Sequence, residues 1–192
     1  MQNYIKLIID HSIRIKKDIY SNPELIKTIE DVIDEIIRCF KNGGKVLFCG
    51  NGGSAADAQH LAAELSGRFN FDRNPLFAEA LHVNTSYITA VANDLGYENI
   101  YARLVQGMGR KGDILIGLST SGNSENVVKA FDMANNIGME TIAMTGADGG
   151  KLKDICNYLI NIPTTNTPRI QESHILIGHI ICEIVEEKIF GL

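Results

Sequence analysis

His60 and Glu64 are the first residues in the chain whose types and spacing could do chemistry. They stand four apart in an alanine-rich helical pattern and so share one helix face. An imidazole beside a carboxylate can hold a metal ion or move a proton. The same spacing also suits a plain polar pair on an amphipathic helix, and for an arbitrary pair that is the commoner case. What precedes this one sets it apart. Residues 46–49 are a short apolar run, too short for a helix, and read as a buried parallel strand. Gly50-Asn51-Gly52-Gly53-Ser54 follows, with Ser54 expected at the helix N-cap and Asp57 in the first turn. Glycines let the backbone approach a ligand closely, and the free N–H groups of a first helical turn attract an anion. At 1.5 Å per residue, His60 lies about 9 Å and Glu64 about 15 Å along that axis, far enough to address the other end of an extended sugar chain.

A second cluster is Ser119-Thr120-Ser121-Gly122-Asn123-Ser124, directly after a strand pattern and before a helix pattern. Hydroxyls donate to a phosphate oxygen without adding a charge that must be desolvated. One capping serine is expected at a helix start, and the further hydroxyls favour phosphate or sugar binding over capping alone. Neither this run nor GNGGS matches a Walker lysine loop or a full dinucleotide fingerprint, so a nucleotide is not indicated. In the last helix Gln171, His174 and His179 interrupt an apolar pattern, and buried polar groups need partners. Spacing alone does not choose between His174 and His179. Gln171 and His179 are about 12 Å apart in rise. They meet at one ion only if it sits between them, if Gln171 lies at a frayed helix start, or if one comes from another subunit.

The elements that must position these groups alternate. Residues 3–20 and 23–41 read as two helices, the second opened by Pro23 and closed by Asn42-Gly43-Gly44. No strand precedes them, so the first helix is expected to pack on another subunit. Strands are expected at 46–49, 76–81, 113–118, 141–144 and 158–162, with helices at 86–95, onward to about 107, at 125–136 and at 170–190. Residues 163–168 read as loop. Alternation at this spacing implies a parallel sheet covered by helices on both faces, an α/β architecture.

With 192 residues the chain can bury a sizeable core as one domain. Its net charge of −5 and lack of a basic block argue against a nucleic-acid partner. No apolar run reaches membrane-spanning length and no secretory leader is visible, so a cytoplasmic setting is expected. The four cysteines, Cys39, Cys49, Cys156 and Cys182, form no CxxC pair and read as reduced, buried thiols.

Five stretches occurring in order, GGKVLFCGNGGSAADAQHLAAELSGRF, VANDLGYENIYARLV, GDILIGLSTSGNSENVVKA, MTGADGGKL and RIQESHILIGHIICEIVE, resemble the sugar isomerase (SIS) domain family from Gly43 onward. Within it the chain is most similar to members acting on seven-carbon sugar phosphates. The resemblance implies a single SIS domain over residues 1–192, a three-layer αβα sandwich of flavodoxin-like or Rossmann-like type with a five-stranded parallel sheet, and a homotetramer whose active sites lie at subunit interfaces. It places residues 1–42 in oligomer contacts. It implies one Zn2+ per subunit held by His60, Glu64, Gln171 and His179, with Glu64 and His179 moving protons. Phosphate would sit on Ser119, Thr120, Ser121 and Ser124, with Asn51, Gly52, Gly53 and Ser54 nearby. Asn93 and Asp94 would face sugar hydroxyls, and Glu64 and Gln171 would also touch substrate. The activity implied is enediol-type isomerisation of D-sedoheptulose 7-phosphate to D-glycero-D-manno-heptose 7-phosphate, the first step towards activated heptose for lipopolysaccharide or another glycan. The alternative is a non-catalytic relative of the DnaA initiator-associating type, which binds a protein partner or a phosphosugar. That relative lacks the glutamate at 64, carries asparagine at 179 and has an arginine in the hydroxyl run. This chain keeps Glu64, His179 and Ser121, although its C-terminal stretch through Phe190-Gly191 is similar to that relative. It departs from some family members at Pro168, where an aspartate can stand.

Overall fold

The computed structural model describes residues 1–191. Two amphipathic helices, α1 (Gln2–Tyr20) and α2 (Pro23–Lys41), lead into β1 (Val46–Gly50) and α3 (Gly53–Ser66). Then come β2 (Ala78–Ala80), α4 (Thr85–Leu95), a 3-10 turn at Tyr97–Asn99, and α5 (Ile100–Met108). The chain continues through β3 (Ile114–Ser119), α6 (Glu125–Ile137), β4 (Glu140–Thr145), β5 (Tyr158–Asn161) and α7 (Thr167–Phe190). The strands pair in parallel in the order β2-β1-β3-β4-β5. This is a doubly wound sheet that reverses direction between β1 and β3, and in such sheets the crevice beyond the carboxyl ends at the reversal receives ligands. Both glycine- and hydroxyl-rich turns leave the sheet there.

Period-2 geometry divides the strand side chains between two cores. Val46, Phe48, Ile114, Ile116, Ile142, Met144 and Ile160 pack with the apolar faces of α2, α3 and α7. Leu47, Cys49, Leu115, Ala143 and Leu159 pack with α4, α5 and α6. Burial on both faces explains the unbroken apolar runs of β1 and β3. At the amino ends of the strands, Lys45 and Asp113 form a buried ion pair at 2.5 Å, and Asp113 also accepts the Lys45 and Arg110 backbone N–H groups.

Three expectations shift. β2 covers only Ala78–Ala80, because it is the sheet edge with β1 as its one neighbour. α7 starts at Thr167 rather than 170: the Asn166 side chain accepts from Arg169 N, and Pro168 occupies the first turn, where its missing N–H costs no bond. Ser54 is not the N-cap of α3. Gly52 holds that position with φ +58, and Ser54 is buried inside the first turn. The cysteines are all free, and three are buried, with Cys156 half-buried.

Candidate functional site

α3 and α7 pack side by side along a seam that starts at Gly53. At its start the Gln171 side-chain amide lies against Gly53, where even a Cβ would meet it at 2.7 Å. Further on Gly178 faces Leu61. There the two helices bring His60, Glu64 and His179 together, one donor atom from each lying within 4.8 Å of the others. His60 Nε2 lies 2.9 Å from Glu64 Oε1, and the His60 and His179 rings meet edge-on with centroids 5.0 Å apart. His179 Nε2 is buried and has no hydrogen-bond partner among the described residues. Phe69 packs its ring 5.7 Å from that of His179.

Burial distinguishes the two C-terminal histidines. His174 is fully buried under the sheet, its Nε2 3.1 Å from Thr145 O. Burial pushes its imidazole down to about 4, with the Thr145 carbonyl opposing the shift. It is a core residue. Gln171 stands apart from the three clustered residues: it precedes His179 by about 12 Å of helix rise and its amide lies close against Gly53. Asp57 lies beyond the first turn of α3 rather than in it, three residues before His60 and on the same face. Burial pushes its carboxyl up, and His60 and His179 pull it back only in part. Its Oδ2 is buried without a partner among the described residues.

At the reversal of the sheet the two turns are tied together. Asn51 and Asn126 exchange two amide hydrogen bonds, each 2.9 Å, and Tyr97 Oη donates to Asn51 Oδ1 at 3.0 Å. Tyr101 Oη donates to Gly50 O at 2.5 Å. Asn51 thus contributes a fixed backbone to the site, its side-chain amide being already engaged. Asn93 and Asp94 lie exposed on the last turn of α4, bonded to each other at 2.7 Å, and Tyr97 just beyond them bridges to the Asn51 turn. In the hydroxyl turn, buried Ser119 pairs its Oγ with Ser124 Oγ at 3.0 Å, so Ser124 sits at the N-cap of α6 without capping it through its side chain. Ser121 Oγ accepts from Asn123 N at 3.1 Å. Thr120 and Ser121 line an open cleft of about 260 Å³ with Thr165, Thr167 at the start of α7, and Asp148. Gly122 makes this turn possible: its φ is +66, and a Cβ would run into the Gly149 carbonyl.

Sequence reading missed Asn126, Tyr97 and Phe69. Asn126 carries a faint signal, a polar residue two places into a helix. Phe69 carries none, because it lies in an irregular loop and reaches the cluster only through the tertiary fold.

Comparison with known proteins gives a consistent picture. Residues 11–146 match the model of the SIS domain. The chain is 49% identical to the phosphoheptose isomerase of Clostridium acetobutylicum over 191 residues, covering 100% of this chain and 97% of that protein. It is 51% identical to the phosphoheptose isomerase of Aneurinibacillus thermoaerophilus, covering 99% and 96%. Among solved structures, phosphoheptose isomerase from Neisseria gonorrhoeae superposes with a TM-score of 0.91 at 41% identity, covering 97% of this chain and 98% of that one. That from Francisella tularensis gives 0.92 at 37% identity with the same coverage.

Proposed function

The chain belongs to the SIS domain family, and on that footing we propose that it is a phosphoheptose isomerase, converting D-sedoheptulose 7-phosphate to D-glycero-D-manno-heptose 7-phosphate for heptose biosynthesis. The observation that carries this reading is the His60–Glu64–His179 cluster, held in a chain that matches enzymes of that name almost end to end.

Aldose–ketose isomerisation moves a proton between neighbouring carbons. A base takes it from the carbon beside the carbonyl, and an acid returns it to the next carbon of the resulting enediol. Glu64 is assigned the first role and His179 the second. The hydroxyls of Thr120 and Ser121, with the N–H groups at the start of α6, would take the phosphate. The Asn51–Gly53 turn and Gln171 would line the sugar between the two ends, with Asn93 and Asp94 at its outer side.

The cluster fits a divalent metal. Two imidazoles and one carboxylate form a familiar donor set for zinc with an open position, and His179 Nε2 is buried with no other partner among the described residues. Zinc bound by His60, Glu64 and His179 would supply Lewis-acid polarisation of the substrate carbonyl. Gln171, packed against Gly53, suits the sugar better than the same ion within one protomer.

A homotetramer completes the reading. α1 exposes Tyr4, Ile5, Leu7, Ile8, Ile9 and Ile13, and α7 exposes Leu176 and Ile180. A groove between these helices is lined by Ile8, Ile9 and Ile13, and His179 opens onto it. Other copies of the chain would cover this apolar face and bring the catalytic cluster to an interface. No helix among the described residues is long and apolar enough to cross a membrane. The reading places the enzyme in the cytoplasm with its phosphorylated substrate.

Zinc-loaded protein is expected to convert sedoheptulose 7-phosphate to an aldoheptose 7-phosphate, followed by NMR. Glu64→Gln is expected to abolish turnover with assembly intact. Absence of product from the wild type, or turnover retained in the variant, overturns the assignment.

A further inference from the structure

Glu186 lies on α7 seven residues beyond His179, two helical turns on and on the same face. Its side chain is fully buried. Oε1 accepts from Phe69 N at 2.9 Å and from Arg73 Nε at 2.8 Å, and Oε2 accepts from Asn70 N at 2.7 Å. The Arg73 side chain is 2% exposed, and the rest of its fork is engaged by main-chain carbonyls. Nη1 donates to Leu65 O at 2.8 Å, and to Gly67 O and Asn74 O at 3.1 Å each. Nη2 donates to Glu64 O at 2.9 Å. Burial pushes the Glu186 carboxyl up, but the Asn70 and Phe69 amides and Arg73 outweigh it and hold the group ionised below its ordinary range.

A buried ion pair gains little stability over a well-packed apolar pair. What this pair grips is specific. Arg73 closes the last turn of α3 at the carbonyl of Glu64. Glu186 draws in the turn that carries Phe69, and the Phe69 ring lies against His179. One arm therefore ends on each of the two proton-transfer residues.

We infer that Arg73 and Glu186 form a clamp that positions Glu64 and His179, fixing the end of the Glu64 helix and packing Phe69 against the His179 imidazole. Both are positioning residues, since neither touches the reacting atoms. The inference rests on the isomerase reading and adds to it the device that aligns its two proton-transfer groups.

The test uses full-length zinc-loaded protein, with kcat and KM for sedoheptulose 7-phosphate and zinc affinity by chelator competition. Glu186→Gln keeps the shape of the side chain and removes its charge. It is expected to lower kcat about 10- to 100-fold with KM within about threefold, and to weaken zinc about tenfold. Phe69→Leu leaves every hydrogen bond of the clamp in place and is expected to show part of both losses. The double variant should lose less than the two single losses combined, because both act along one path. Full additivity, or kcat and zinc affinity within about twofold of wild type in either single variant, overturns the clamp. If Glu186→Gln does not fold, Phe69→Leu alone decides, since it spares the ion pair. Wild-type protein inactive on the sugar refutes the isomerase reading, and zinc affinity in the variants still decides the clamp.

Discussion

Replacing Gly178 by alanine tests whether the approach of α3 to α7 sets the geometry of the site. A Cβ at 178 would stand 2.5 and 2.6 Å from the terminal carbons of Leu61 and 3.1 Å from its Cγ. Carbon atoms pack at about 3.5–4.0 Å, so about 1 Å must be found. Turning the terminal methyls does not free the Cγ contact, and Leu61 is 2% exposed in the core. The helices must separate next to His60 and His179. Overpacking of this size costs about 1–3 kcal/mol, offset by up to about 1 kcal/mol from the better helix propensity of alanine. The expected net loss in stability is about 1–2 kcal/mol, measured by denaturant unfolding. Turnover is expected to fall much further, about 100-fold, because a displacement of about 1 Å at a catalytic pair costs that much. Adding Leu61→Ala removes all three clashing carbons and should recover most of the turnover. If Gly178→Ala keeps kcat within about threefold of wild type while stability drops as expected, close helix approach does not set the catalytic geometry.

Two further outcomes are expected. The folded state holds His174 at about 4, below the 6.5 of a free imidazole, so between those values the unfolded chain binds more protons. Stability is therefore lost as pH falls from about 6.5 to about 4, by about 3–4 kcal/mol, from two and a half pH units at about 1.4 kcal/mol each. His174→Gln should flatten that part of the profile in denaturant titrations, and an unchanged slope would refute the assignment. Ile9→Glu with Ile13→Glu places charges on the exposed apolar face of α1. Light scattering should show smaller species than the proposed four-chain assembly, with loss of turnover; a tetramer kept intact by the variant would show that this face is not the interface.

Much of the fold is legible because its signals are local. The apolar runs at β1 and β3, the Asn42-Gly43-Gly44 stop and Pro23 each act within a few residues. The helix face shared by His60 and Glu64 is equally local. His174 and His179 are indistinguishable by pattern, since both are polar positions in one apolar helix. What separates them is which side of α7 meets the sheet and which meets α3, and Gly178 helps to decide that by letting α3 come close. The N-cap of α3 misleads for a similar reason. Serine is the better cap by propensity, but the turn leaves β1 through a positive φ that Gly52 adopts freely. The Arg73–Glu186 pair joins residues 113 apart in sequence, and no short window contains it.

The reciprocal amide pair of Asn51 and Asn126 also bears on how the protein ages. Asn-Gly is the dipeptide in which the following backbone nitrogen most readily attacks the side-chain amide, closing a succinimide and leaving an acid. The chain contains two such steps, Asn42-Gly43 and Asn51-Gly52. At Asn51 the amide is gripped on both edges, by Asn126 and by Tyr97, and cannot swing towards Gly52. Asn42 is exposed at the C-terminal end of α2. Spontaneous deamidation should fall on Asn42, remote from the reaction centre, while the turn that would receive the sugar keeps its neutral amide and never gains a negative charge facing the phosphate.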